Sequence, residues 1–226
     1  MKFDIPENLR REFRRLELAK YDRAYFFEEY WKEDFLGVSG NRGLSYDDPN
    51  HSERFRIIAR ALCGLSDFSA VLDAGCGLGD LLIALEIASS SRLVGIDASP
   101  DAIEIGAQHL KSNSRVELIQ SELIDLPFGD QEFDLVVCLD VLEHIPVFDI
   151  MDALQQIFRV SRDSVILSIN SDNPYRYHPT ILSTETWRTI LGSIDGWSRN
   201  HSFEEALADS VSSSRPEYDF CCLSKI

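Results

Sequence analysis

Apolar residues along the chain gather into short unbroken runs, separated by longer stretches where apolar and polar positions recur at helical intervals. The runs Val71-Leu-Asp-Ala, Arg92-Leu-Val-Gly-Ile-Asp97, Phe133-Asp-Leu-Val-Val-Cys-Leu139 and Val165-Ile-Leu-Ser-Ile169 read as parallel strands. Continuous apolar character of this kind is expected where both faces of a sheet are covered. Arg115-Val-Glu-Leu-Ile-Gln120 reads as a further strand. Helices are predicted over 81–88, from Ser99-Pro100 to about 110, over 149–160 and over 184–191 behind Ser183. Before the first strand, Phe55, Ile58, Ala59 and Leu62 form one helix face, with Ser52 as its cap and Gly64 just beyond. Tyr218-Asp-Phe-Cys-Cys-Leu-Ser224 predicts a last strand, whereas residues 198–215 are Ser-rich and carry no decisive pattern. Strands alternating with helices predict an α/β chain.

The first fifty residues are patterned differently. Leu9, Phe13 and Leu16 share a narrow helical face, and Tyr21-Asp-Arg-Ala-Tyr-Phe-Phe-Glu-Glu-Tyr-Trp31 is dense in aromatics. A Gly-bearing loop follows over 37–49. The division expected is a helical cap over 1–50 and an α/β domain over 51–226. The aromatics of the cap, Tyr25 and Trp31 among them, either line a substrate site or pack on the sheet.

The first strand runs into Gly75-Cys-Gly-Leu-Gly79, and a helix follows. Glycine in such a turn tolerates positive φ and allows close approach of a ligand to the backbone. The dinucleotide fingerprint needs Gly or Ala three positions after its second glycine, and here that position is Asp80. A carboxylate at the helix N-terminus opposes a pyrophosphate and suits a ligand with positive charge. Asp97 ends the second strand about twenty residues on, where a carboxylate can take both hydroxyls of a ribose. Ser99 already supplies the helix cap there, so Asp97 reads as a ligand rather than a cap. Asp73, Gly75, Asp97, Glu122 and Asp140 all fall at carboxyl ends of strands, the side on which open α/β sheets bind ligands.

Four segments in order carry a resemblance. Val71-Leu-Asp-Ala-Gly-Cys-Gly-Leu-Gly79, Val94-Gly-Ile-Asp-Ala-Ser99, Asp125-Leu-Pro-Phe128 and Phe133-Asp-Leu-Val-Val-Cys-Leu-Asp-Val-Leu-Glu-His-Ile145 resemble successive motifs of the class I S-adenosylmethionine-dependent methyltransferases. The resemblance covers about residues 55–192. It implies a doubly wound, seven-stranded, mostly parallel Rossmann-like sheet whose last strand is antiparallel. It implies S-adenosylmethionine as cofactor and methyl transfer to an O, N or C nucleophile of a small molecule. Carried over by position, the cofactor contacts are Asp73, Gly75, Cys76, Gly77, Gly79, Asp97, Ala98, Glu122, Leu123 and Asp140. Glu122 would meet the adenine amino group and the Leu123 N–H a ring nitrogen, although the usual Gly-Asp is Ser121-Glu122 here. The segment before the first strand would serve as a substrate cap. The family's Leu-Lys-Pro-Gly-Gly turn is replaced by Val160-Ser-Arg-Asp-Ser164.

Asp140, Glu143 and His144 could converge on a metal, but no further ligand has clear spacing, so no metal is expected. His144 and His178 are the candidate general bases, since imidazole titrates nearest neutral pH. After the fifth strand, Tyr175, Arg176 and Tyr177 stand at the ligand end as candidate substrate contacts.

Charge narrows the partners. A net charge of -16 disfavours a nucleic-acid binder, which must meet phosphate. The five cysteines show no metal-ligand spacing and suggest a reduced, cytoplasmic setting. No signal-peptide core or membrane-length apolar run is present in the sequence. Oligomeric state and the identity of the acceptor are not legible. Two other readings stay open: a methyltransferase-like scaffold without turnover, and a nicotinamide-dependent oxidoreductase.

Overall fold

The computed structural model describes residues 7–10, 13–14, 49–169, 178–211 and 220–226. Tyr25, Trp31, Tyr175, Arg176 and Tyr177 lie outside them, as does nearly all of the expected cap. Of the few cap residues described, Leu9 and Phe13 are buried in the main core cluster.

Seven strands form one sheet in the order β3-β2-β1-β4-β5-β7-β6. They are β1 (Ala70–Ala74), β2 (Arg92–Asp97), β3 (Val116–Gln120), β4 (Phe133–Leu139), β5 (Ser161–Ser168), β6 (Trp197–Arg199) and β7 (Phe220–Lys225). β3, β2, β1, β4 and β5 pair in parallel, and β7 enters antiparallel between β5 and β6. The order reverses between β1 and β4, and that crevice is where ligands of such sheets sit.

Among the described residues the α-helices are α1 (Pro49–Leu65), α2 (Asp80–Ala88), α3 (Pro100–His109), α4 (Ile150–Val160), α5 (Thr184–Gly192) and α6 (His201–Val211). Successive strand residues point to opposite faces. In β4, Phe133, Val136 and Cys138 join the cluster that includes α4 and α5, while Leu135, Val137 and Leu139 join the one that includes α1 and α2. The central strands therefore need apolar residues at nearly every position, which is why their runs are unbroken. Ser99 and Ser183 cap α3 and α5 as expected, accepting from the N–H groups of Ala102 and Thr186.

The structure corrects three boundaries. α1 begins at Pro49, so Ser52 lies inside the helix; proline suits a first turn because its missing N–H would be unpaired there. β5 starts at Ser161, directly after α4, where a turn was expected over 160–164. Its register shifts between Phe133↔Ser161 and Leu135↔Ser164, so an extra residue bulges from the strand. Ser161 Oγ donates to Ser164 O across that bulge at 2.9 Å. The Ser-rich stretch supplies β6 and α6, held by the buried Trp197 and Leu207.

Candidate active site

The glycine turn is fastened to the neighbouring strand. The N–H groups of Gly75 and Cys76 both donate to Ile96 O, each at 2.8 Å. Gly75, Gly77 and Gly79 have φ of 89°, 54° and 85°. Gly75 has a second constraint, because a Cβ there would lie 2.3 Å from Val141 Cγ2. The turn thus brings Val141, just past the end of β4, directly onto the end of β1.

Around this turn lie three carboxyl groups. Asp97 is buried at the end of β2; its Oδ2 accepts from Gly77 N at 3.0 Å and its Oδ1 from Ser99 N at 2.9 Å. Burial still pushes its pKa up to about 6, against the lowering effect of those N–H groups. Asp73, at β1, is pushed up to about 7, first by burial and then by the charges of Asp97 and Asp80. Asp80 is raised by burial, with His109 acting in the opposite direction. Among the described residues no hydrogen bond or ion pair to the Asp73 carboxylate is found, and Asp80 Oδ2 is buried without a hydrogen-bond partner. Buried carboxylates are costly unless a cation or donors meet them. Carboxyls in this setting suit a ligand that brings positive charge and hydroxyl donors.

The remaining carried-over positions fall around the same crevice. Cys76, Gly77, Gly79 and Leu123 are buried, Ala98 is half-buried, and Glu122 is exposed beyond β3. Ser121 N donates to Asp97 O at 3.0 Å, so the β3 exit lies beside Asp97. Burial raises the Cys76 thiol well above the ordinary value, which makes it an apolar packing group.

Asp140 is arranged differently. It stands at the end of β4 with φ of 56°, a conformation Asp tolerates better than most residues. Its Oδ2 pairs with Arg54 of α1 at 2.6 Å and its Oδ1 accepts from Ser168 Oγ of β5 at 2.7 Å. Arg54 is 6% exposed. Sequence reasoning missed this arginine, since its partner is 86 positions away and a single Arg on an amphipathic helix gives no signal.

His144 and His178 meet. Their rings form an edge-to-face contact with centroids 4.7 Å apart. Glu143 is 1% exposed and adjoins both. The two segments are tied together by Thr180, whose N–H donates to Glu143 O at 3.3 Å and whose Oγ1 donates to Ile145 O. The turn with His144 also connects back to the glycine loop, because His144 N donates to Val141 O at 2.9 Å. All five cysteines are free thiols. No described helix is long and apolar enough to cross a membrane.

Comparison with known proteins agrees with this geometry. Residues 71–164 match the methyltransferase domain family. The demethylmenaquinone methyltransferase of Staphylococcus carnosus is 37% identical over 94 residues, 41% of this chain and 38% of that protein. Its counterpart from Staphylococcus epidermidis is 30% identical over 152 residues, 63% of this chain and 62% of that protein. The chain thus matches less than two thirds of the length of these curated relatives. Among solved structures, magnesium protoporphyrin IX methyltransferase from Synechocystis PCC 6803 with bound S-adenosylhomocysteine superposes with TM-score 0.67. It is 19% identical and the match covers 91% of this chain and 100% of that one. The plantazolicin methyltransferase BpumL, also with S-adenosylhomocysteine, gives 0.68 at 14% identity, covering 96% and 99%. Sheet order, glycine turn and the ordered motifs converge: residues 71–164 match the methyltransferase domain family, and the chain shares the fold of these S-adenosylhomocysteine-bound methyltransferases.

Proposed function

We propose that this protein binds S-adenosylmethionine in the crevice at the ends of β1, β2 and β3 and methylates an O, N or C nucleophile of a small molecule. One observation carries the reading: the buried carboxyls of Asp73 and Asp97 flank a left-handed glycine turn, and no ion pair with a protein cation meets either among the described residues.

Asp97 keeps lone pairs beyond those used by Gly77 and Ser99, and these accept the ribose hydroxyls. Asp73 and Asp80 hold the cationic end, with the loop from Gly75 to Gly79 approaching it closely. Leu123 packs the adenine and its N–H meets a ring nitrogen, with Glu122 beside it. Asp140, fixed by Arg54 and Ser168, shapes the wall between cofactor and acceptor. When bound, S-adenosylmethionine supplies a methyl carbon made electrophilic by its sulfonium. The protein then has to hold the acceptor in line with that carbon and keep water out, and such positioning supplies several kcal/mol. A base is needed only for a nucleophile that is protonated at working pH, and His144 and His178 are the groups placed to deal with that proton. Tyr25, Trp31, Tyr175, Arg176 and Tyr177 complete the acceptor side in this reading. The setting is the cytoplasm, in keeping with the free thiols.

Calorimetric titration with S-adenosylmethionine, S-adenosylhomocysteine and a nicotinamide dinucleotide tests it. Micromolar binding of the first two is expected. Tight nicotinamide binding without response to the others would replace this reading with an oxidoreductase, and no binding of any would favour a scaffold.

A further inference from the structure

Metal chemistry in the sequence founders on a missing ligand. Glu143 and His144 are adjacent, but nothing nearby in the chain completes a set, and Asp140 is engaged with Arg54 and Ser168. The fold supplies the missing member from 34 positions later. Glu143, His144 and His178 each present one ligand atom within 4.8 Å of the others.

We infer that Glu143, His144 and His178 form a binding site for one divalent first-row transition-metal ion. Two imidazole nitrogens and one carboxylate oxygen are a ligand set of catalytic zinc and non-haem iron centres, in which three protein ligands leave positions open. Tetrahedral ligands at about 2.05 Å from an ion lie about 3.3 Å apart, so small side-chain rotations close the triad. The backbone around it is already fixed. Leu142–His144 is a single 3-10 turn, anchored by His144 N on Val141 O. Thr180 bridges from the His178 side to Glu143 and Ile145. Glu143 is buried beside the two imidazoles, so its carboxylate is held close to where the ion would sit. Mg2+ and Ca2+ are poor candidates because they favour all-oxygen shells.

The position gives the ion a use. The turn hangs from Val141, which packs on Gly75 of the cofactor loop. An acceptor hydroxyl bound at an open coordination position becomes more acidic and is held facing the donor side. With the ion bound, His144 and His178 act as its ligands and the ion's acidifying effect replaces a free imidazole base; that consequence rests on the methyl-transfer reading, whereas the metal site itself does not.

The test uses the full chain stripped with chelator. Titration with Co2+ is followed by visible absorption, and titration with Zn2+ by calorimetry. One ion per chain is expected, at micromolar dissociation constant or tighter, with the d–d bands of a four- or five-coordinate Co2+ site. His144→Ala and His178→Ala should each weaken binding by more than the ~10–100-fold typical of outer-shell losses. Glu143→Gln should weaken it as well, and His201→Ala, at an exposed surface pair, should change nothing. S-adenosylhomocysteine affinity, measured on every variant, reports folding and stands apart from the metal. Failure of the wild-type protein to bind either ion overturns the site, as does equal binding by a folded His144→Ala/His178→Ala double variant. Loss of metal binding with intact S-adenosylhomocysteine binding leaves the cofactor reading untouched.

Discussion

The acids at the amino end of the sheet are treated differently from Asp73 and Asp97 at its carboxyl end. At the amino end, Asp134 accepts from the N–H groups of Ser69 and Ala70 and pairs with Arg162 at 2.5 Å. Glu132 there pairs with Arg92 at 2.8 Å, and its pKa is lowered by that arginine and by Gly129 N–H. Arg159 joins Asp130 and the carbonyls of Leu126 and Phe128. At the carboxyl end, Asp73 and Asp97 are buried without a cationic partner among the described residues, and both are pushed toward neutrality. Acids that stabilise a fold are matched within it. Acids left uncompensated at a site weaken the fold and become useful when a cation arrives.

Four experiments can break or sharpen that contrast. The largest effect is expected from Gly75→Ala, which adds a Cβ against Val141 and forces a side chain to a φ of 89°. A stability loss of about 3 kcal/mol by chemical denaturation is expected, with Val141→Ala recovering only the steric share. A neutral outcome would mean that the turn is not tightly constrained. Next, Asp97→Ala should weaken S-adenosylhomocysteine binding by about 1–3 kcal/mol. Unchanged affinity would remove its ribose role.

Asp73→Asn addresses the pH dependence. A carboxyl whose folded pKa is about 7, above an ordinary 3.8, contributes stability that is complete at low pH and lost as pH rises through the folded value. The ligand-free protein should therefore lose melting temperature between pH 5 and 8, whereas cofactor affinity should rise over the same window as Asp73 ionises. Asp73→Asn should flatten both profiles and stabilise the ligand-free protein at pH 8 by on the order of 2 kcal/mol. Parallel profiles for wild type and variant would sink the assignment. The smallest effect belongs to Arg92→Ala at the amino end. It removes a partly exposed pair and should cost less than about 1 kcal/mol, with cofactor affinity unchanged. A shift in affinity there would show that the two ends are coupled.

Much of this was legible because burial writes itself into sequence. β1, β2 and β4 are covered on both faces, so their residues are apolar at consecutive positions. The caps at Ser99 and Ser183 are local and were read directly. The start of β5 was missed because its first residues, Ser-Arg-Asp, are held by a bulge and by backbone pairing rather than by apolar burial. β6 is three residues long and exists through its pairing with β7. Of the candidate site, the positions at strand ends could be named from spacing. The partnership of Arg54 with Asp140 and of His178 with Glu143–His144 could not, since both depend on how distant segments close in space. Arg54 and Ser168 entered only with the three-dimensional arrangement.

The double anchorage of Gly75 and Cys76 on Ile96 has a consequence for how a ligand is received. The loop has already given up its conformational freedom during folding, so little ordering is left to oppose association. Affinity then depends on what the crevice offers rather than on what it must become. Changes in the packing of β2, however remote from any ligand atom, will be felt as displacements of the loop that β2 carries.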